Sequence, residues 1–216
     1  MMDPGLIQFG LTAFVTLLVV VDPIGVAPLF VAITREATDS QRRATLARAV
    51  LIAFLVALFF LLGGRALLAQ LGVSVHAFAI SGGILLFATA LPMLFGHRPV
   101  MQGPEQSDVD RSGEDPAVFP LAIPLLSGPG AIATILLLTN ETAKQPWRIV
   151  VLTVTTAAVY LIAWLILRVA DALLQKLGKG RINVITRVLG LILAALAVQY
   201  VLDGIGGYYQ ALRTSY

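Results

Sequence analysis

Leu17-Leu18-Val19-Val20-Val21-Asp22-Pro23-Ile24-Gly25-Val26-Ala27-Pro28-Leu29-Phe30 sets an acid and a proline inside an apolar run that extends from Leu6 to Ile33. A helix needs about 20 apolar residues to cross roughly 30 Å of hydrocarbon, and this run is long enough. Proline removes an N–H and clashes with the carbonyl four residues back, so the helix must kink or break at Asp22-Pro23. An acid at that depth costs about 2.5–3.5 kcal/mol on the insertion scale and marks a functional position by default. Two roles fit Asp22: a cap for the half-helix that starts at Pro23, or a contact for a solute or coupling ion.

Five further apolar runs follow: Ala44 to Leu62 (continuing as a helix towards Gln70), Phe78 to Phe95, Val118 to Thr139, Ile149 to Leu167, and Val184 to Leu202. The runs are continuous, without the alternation of a transmembrane barrel, so they read as helices. Composition agrees. Of 216 residues, 58% are hydrophobic and only 12% charged, against about 25% charged in a soluble domain. The expected fold is an all-α membrane protein of six transmembrane helices, with helices 1 and 4 broken near mid-membrane.

The same inventory excludes several chemistries. Without cysteine there is no disulfide scaffold, thiolate metal site or cysteine nucleophile. Two histidines, His76 and His97, cannot form a three-histidine zinc site. The net charge of +3 is spread through the connections rather than gathered on one face, so no nucleic-acid partner is expected. No cleavable leader is expected either, because Met1 to Gly5 carry no Lys or Arg and the first run is too long for a signal core.

Orientation follows from the basic residues. Six crossings put Arg35, Arg42, Arg43, Arg48, Arg98, Arg111, Arg168, Lys176, Lys179, Arg181 and Arg187 on one side and Arg65, Lys144, Arg148 and Arg213 on the other. The positive-inside bias makes the first side cytoplasmic and leaves both termini outside, in a bacterial-type inner membrane. A topology with re-entrant first and fourth segments would export Lys176, Lys179 and Arg181 against that bias.

Residues 97–117 form a cytoplasmic linker, rich in Pro, Gly, Asp and Glu, between a three-helix unit at 1–96 and another at 118–216. The two units resemble each other. Leu67-Leu68-Ala69-Gln70-Leu71-Gly72 aligns with Leu173-Leu174-Gln175-Lys176-Leu177-Gly178 at an offset of 106, and the same offset brings Pro23 onto Pro129. Three spans per half force opposite orientations, the inverted-repeat plan of many secondary transporters. In that plan the site lies at paired Gly/Pro interruptions, here Asp22-Pro23-Ile24-Gly25 and Ser127-Gly128-Pro129-Gly130-Ala131. Freed backbone groups survive in lipid only against protein or a wet cavity, and the N–H groups of the following half-helix attract a carboxylate. Thr134, one turn beyond the second break, and Gln199 are further candidates to face that cavity. Gly82, Gly83 and Gly190 are read as points of close helix approach.

The motifs also resemble those of the MarC family of integral membrane proteins, distantly akin to the LysE-type amino-acid exporters. Asp22-Pro23-Ile24-Gly25-Val26-Ala27-Pro28-Leu29-Phe30 is similar to that family's D-P-x-G-N-x-P-x-F element. Pro120-Leu121-Ala122-Ile123-Pro124-Leu125-Leu126-Ser127-Gly128-Pro129-Gly130-Ala131-Ile132 is similar to its P-L-x-x-P-x-x-x-G-P-G-x-I signature. Thr186-Arg187-Val188-Leu189-Gly190 and Asp203-Gly204-Ile205 resemble its last span. Val26 stands where the family often carries Asn, which leaves no polar group at that position. The resemblance implies a six-span inner-membrane protein and, in some members, transport of small neutral amino acids such as glycine and alanine.

The expected function is therefore a transporter of a small solute, of the neutral amino-acid class, working by alternating access. Asp22, Pro23, Ile24, Gly25, Ser127, Gly128, Pro129, Gly130, Ala131 and Thr134 are the candidate solute contacts, and Asp22 is also the candidate for coupling to H+ or Na+. A channel or passive facilitator is the alternative. No enzymatic activity, cofactor or metal is expected, since Asp22 has no second acid at matching depth and no Ser–His pair accompanies it. The partners are the lipid bilayer and the solute, and a homo-oligomer is compatible with the sequence.

Overall fold

The computed structural model of the protein describes residues 4–95, 115–142 and 145–214. Residues 97–114 of the linker lie outside this set. Among the described residues there is no strand. The helices are α1 (Pro4–Val21), α2 (Pro23–Ile33), α3 (Asp39–Gln70), α4 (Val75–Phe95), α5 (Pro129–Glu141), α6 (Pro146–Arg168) and α7 (Ala170–Thr214). Ahead of α5, Ala117–Leu126 winds as a wide coil with extended residues at Phe119 and Ile123. Pro120 and Pro124, which follow them, deny the residue before each proline a helical conformation.

Among the described residues five stretches are long and apolar enough to cross a membrane, and a sixth is obtained if Ala117–Leu126 and Pro129–Asn140 form one span bent by 51°. Gly5–Ile33, with 29 residues, is about 43 Å long as a helix, more than the hydrocarbon core requires. The last span is longer than its apolar run. It extends over Gly180–Arg213, separated from the first turns of α7 by Gly178 at φ 72°. Gly72 likewise has a positive φ, 67°, where the chain turns from α3 towards α4. Only glycine adopts it without a steric penalty.

The burial pattern is that of a bundle apolar on both sides. In α1 the buried positions are Phe9, Ala13, Leu17 and Val21, one stripe at helical spacing. On α3 the interior side carries Ala49, Ala53, Ala57 and Leu61, whereas Leu51, Leu55 and Leu62 are more than half exposed. α6 repeats this, with Leu152, Val159, Ala163 and Leu167 inside and Val154 and Leu161 outside. A helix apolar on every face suits lipid and not water.

Small residues set the helix spacing, since lipid tails remove any hydrophobic drive between helices. α4 and α7 run antiparallel. A side chain at Gly83 would meet the Ala197 carbonyl, one at Gly190 the Met93 side chain, and one at Gly204 the Ile80 side chain and the His76 carbonyl. Elsewhere α1 packs on α6 and α5, α2 on α6 and α7, α3 on α5 and α6, and α4 on α5; the 117–126 coil packs on α2 and α3. Outside the apolar region caps take over. Thr38 Oγ1 accepts from Gln41 N while Thr38 N donates to Gln41 Oε1, a reciprocal capping box at the start of α3.

Candidate functional site at two helix breaks

Asp22 lies between α1 and α2 with φ 43° and ψ 61°, a left-handed conformation that Asp tolerates better than most residues. Its N–H still reaches the Leu18 carbonyl (3.1 Å) and its own carbonyl accepts from Val26 (3.1 Å), so backbone bonding continues through the break and Gly5–Ile33 remains one span. The side chain turns forward. Oδ1 accepts from Gly25 N at 3.0 Å, the third residue of α2, as a capping side chain does. Gly25 is required by this contact, since a Cβ there would collide with the Asp22 carboxylate. Pro23, at the first helical position, has no N–H to leave unpaired. Ile24 follows it and is half-buried.

The second break differs. Gly128 precedes α5 in an extended conformation, φ −78° and ψ 175°, and Pro129 again occupies the first helical position. Here no side chain caps the helix. The first helical bond joins Ile132 N to the Gly128 carbonyl, so the N–H groups of Gly130 and Ala131 point out of the helix end. Gly128 lies against the Pro124 carbonyl and Gly130 against Leu86, each too close for a side chain. Ser127 is fully buried, and its Oγ makes no hydrogen bond of normal geometry, with the Tyr160 hydroxyl as its polar neighbour. A helix start, carrying roughly half a positive charge, thus lies beside a buried hydroxyl with spare bonding capacity.

The two breaks belong to one arrangement. α1 packs on α5, and α2 packs on the 117–126 coil. Each part of one broken segment therefore meets the opposite part of the other, and the two run antiparallel. The proline-led helix starts, Pro23 and Pro129, arrive from opposite directions.

Two tyrosines that sequence reading passed over complete the surroundings. Tyr160 of α6 donates to the Leu126 carbonyl at 3.1 Å, with its hydroxyl beside Ser127. Tyr200 of α7 donates to Thr134 Oγ1 at 3.1 Å, and Thr134 in turn donates to the Gly130 carbonyl at 2.9 Å. Thr134 is fully buried and committed to this chain of bonds. Gln199, the other candidate for the cavity, is instead exposed and bonds Asp203 at 2.7 Å, while its neighbour Tyr200 is the residue that turns inward. A phenol inside an apolar run was the available signal, because a buried tyrosine hydroxyl needs a partner.

Comparison with known proteins bears on the family. The family model described as "MarC family integral membrane protein" matches residues 7–209. The chain is 37% identical over 199 residues to the UPF0056 inner membrane protein YhgN of Escherichia coli, covering 90% of this chain and 95% of that protein. It is 34% identical over 209 residues to a UPF0056 membrane protein of Methanocaldococcus jannaschii, covering 96% and 91%. A third relative, from Pyrococcus abyssi, is 36% identical over 197 residues. No solved structure matches. With its motifs, its apolar helices and a family match over nearly the whole length, the chain belongs to the MarC family of integral membrane proteins.

Proposed function

We propose that the protein is a membrane transporter of a small zwitterionic solute, of the glycine and alanine class, and that the uncapped start of α5 receives the solute carboxylate. The observation that carries this reading is the contrast between the breaks. At α2 the protein supplies its own carboxylate, Asp22, to the helix start. At α5 the equivalent position is Gly128, without a side chain, and Ser127 adds a buried hydroxyl that makes no hydrogen bond of normal geometry. A carboxylate there would meet the Gly130 and Ala131 N–H groups and Ser127 Oγ, much as Asp22 meets Gly25. A small solute suits a site walled by Leu86, Leu126 and Thr134, all buried.

The transport mode rests on an inverted repeat. The offset of 106 that relates Pro23 to Pro129 also relates Gly72 to Gly178, both with positive φ. Under the same exchange α3 corresponds to α6 plus the first turns of α7, and α4 to the remainder of α7. The packing partners then exchange as well: α1 on α6 mirrors the 117–126 coil on α3, α4 on α5 mirrors α7 on α2, and α3 on α5 mirrors α6 on α2. Two like halves in opposite orientation can rock about a site between them, which is alternating access. In this reading both termini are outside, and Asp22 serves first as a cap.

Purified protein in proteoliposomes tests this. Labelled glycine or alanine should enter saturably and exchange against internal unlabelled solute. Absence of flux across a panel of small amino acids would overturn the reading, and flux without saturation or counterflow would make the protein a passive facilitator.

A further inference from the structure

α7 presents two faces along its membrane-spanning part. Ala197, Tyr200 and Gly204 are buried on one side, where Ala197 and Gly204 lie against α4. On the other side Val188, Ile192, Ala195, Gln199, Leu202 and Gly206 follow one another at steps of 4, 3, 4, 3 and 4 residues. Such steps draw one straight stripe along a helix. All six residues are exposed, and a side chain at Gly206 would meet nothing within 4 Å. The stripe is apolar and small-residued except at its centre, where Gln199 stands.

Gln199 is far from the membrane edge. A side chain at Gly83 would meet the Ala197 carbonyl and Val201, so Gln199 is level with Gly83, eight residues inside the start of α4 at Val75. That is about 12 Å along a helix long enough to cross the hydrocarbon. Polar groups at such depth are covered by protein or by enclosed water rather than by lipid tails. Its own helix meets part of the need, since Nε2 donates to Asp203 at 2.7 Å. A glutamine amide has two N–H groups and an acceptor oxygen, so a second N–H and Oε1 are left for another chain. Among the described residues none covers them.

We propose that α7 pairs with α7 of a second copy of this protein along the stripe, with the two Gln199 amides bonded to each other. Copies inserted alike in one membrane run parallel, so a two-fold axis along the membrane normal brings each stripe residue to its own counterpart. The amide suits this because it complements itself: Nε2 of one copy donates to Oε1 of the other, while Asp203 holds each amide from its own helix. On the heptad pattern Gln199 takes an a position, where a single polar residue fixes register and number of strands. Asp203 takes an e position, so the two carboxylates flank the seam and do not meet in it. Ala195 and Gly206 let the helix backbones approach, as small residues do between helices in lipid. The pairing is independent of any solute, and both helix breaks lie outside it.

Because the chain has no cysteine, single thiols report the contact. Ala195→Cys and Leu202→Cys, oxidised in the membrane with copper phenanthroline, should each give a covalent dimer of twice the chain mass. Val198→Cys, at the same depth but about 100° round the helix, and Leu55→Cys, on the exposed side of α3, should not. Gln199→Leu should weaken self-association about three- to twentyfold, the range for one side-chain hydrogen bond between helices in lipid, read by analytical ultracentrifugation in detergent. Gln199→Asn keeps a donor and an acceptor and should retain the dimer. Gln199 is exposed, so these variants leave the packing of the single chain intact. Absence of a dimer at positions 195 and 202, equal crosslinking at 198, or association unchanged in Gln199→Leu would overturn the proposal. A crosslinked product of any other mass would do so too, by replacing the second copy with a different protein.

Discussion

Tyr160 on α6 donates its hydroxyl to the Leu126 carbonyl, 3.1 Å away, immediately before the break that leads into α5. The coil ends at Leu126 and α5 starts at Pro129, so the Leu126 carbonyl falls at the break, outside the regular helical ladder. In lipid such a carbonyl must find another donor or carry a cost of several kcal/mol. A phenol from a neighbouring helix supplies one and leaves the bend in place.

Tyr160→Phe removes that donor and keeps the ring against Phe54. A buried carbonyl deprived of its partner costs about 1–3 kcal/mol. The variant should unfold at lower temperature in detergent, and solute flux should fall because the break is less well held. An unchanged melting temperature would mean that another donor replaces the phenol.

Ser127→Ala separates binding from stability. The hydroxyl is buried with the Tyr160 hydroxyl beside it but without a hydrogen bond of normal geometry, so its removal should change the melting temperature little. If the hydroxyl serves the solute, KM for glycine or alanine should rise about tenfold, the equivalent of one lost hydrogen bond of ~1.4 kcal/mol. A lowered melting temperature with unchanged KM would assign Ser127 to the scaffold.

Much of this arrangement is legible in the chain because proline and glycine act locally. Asp22-Pro23 and Gly128-Pro129 announce breaks through a missing N–H and a fixed φ, wherever the rest of the chain goes. Gly72 and Gly178 close the two similar stretches Leu67–Gly72 and Leu173–Gly178, and both have positive φ. What the sequence conceals is the pairing of residues far apart in the chain. Nothing near Tyr160 or Tyr200 says that their hydroxyls meet Leu126 and Thr134, and Gln199, the more polar neighbour, draws attention to the wrong face of α7. The first part of the fourth run is equally opaque: its hydropathy is that of a helix, but Phe119 and Ile123 are extended. Hydropathy reports the surroundings of a segment and not its backbone path.

Gly25→Ala tests the tightness of the first break. The new Cβ would occupy the place of the Asp22 carboxylate, forcing it off the helix start. Loss of a cap costs about 0.5–2 kcal/mol, so the variant should melt lower and accumulate poorly. In an Asp22→Ala background the colliding atoms are gone, and Gly25→Ala should then cost far less. Such non-additivity is the mark of direct contact; additive losses would mean that the strain lies elsewhere.

Asp22→Asn decides between the two roles of the only acid inside the first run. Asparagine keeps the side-chain oxygen that accepts from Gly25 N and is as good a cap as aspartate, while it removes the ionisable group. Because that oxygen is committed to the helix start at 3.0 Å, the variant should fold with the parent melting temperature and retain solute flux. Its dependence on pH and sodium should match the parent's. Asp22→Ala, by contrast, should lose stability by the amount of a cap. If Asp22→Asn folds normally but its flux no longer responds to pH or sodium, the carboxylate carries the coupling ion and the cap is secondary. Melting temperature and ion dependence thus read the two roles independently, on a pair of variants that differ from each other only in whether the capping oxygen survives.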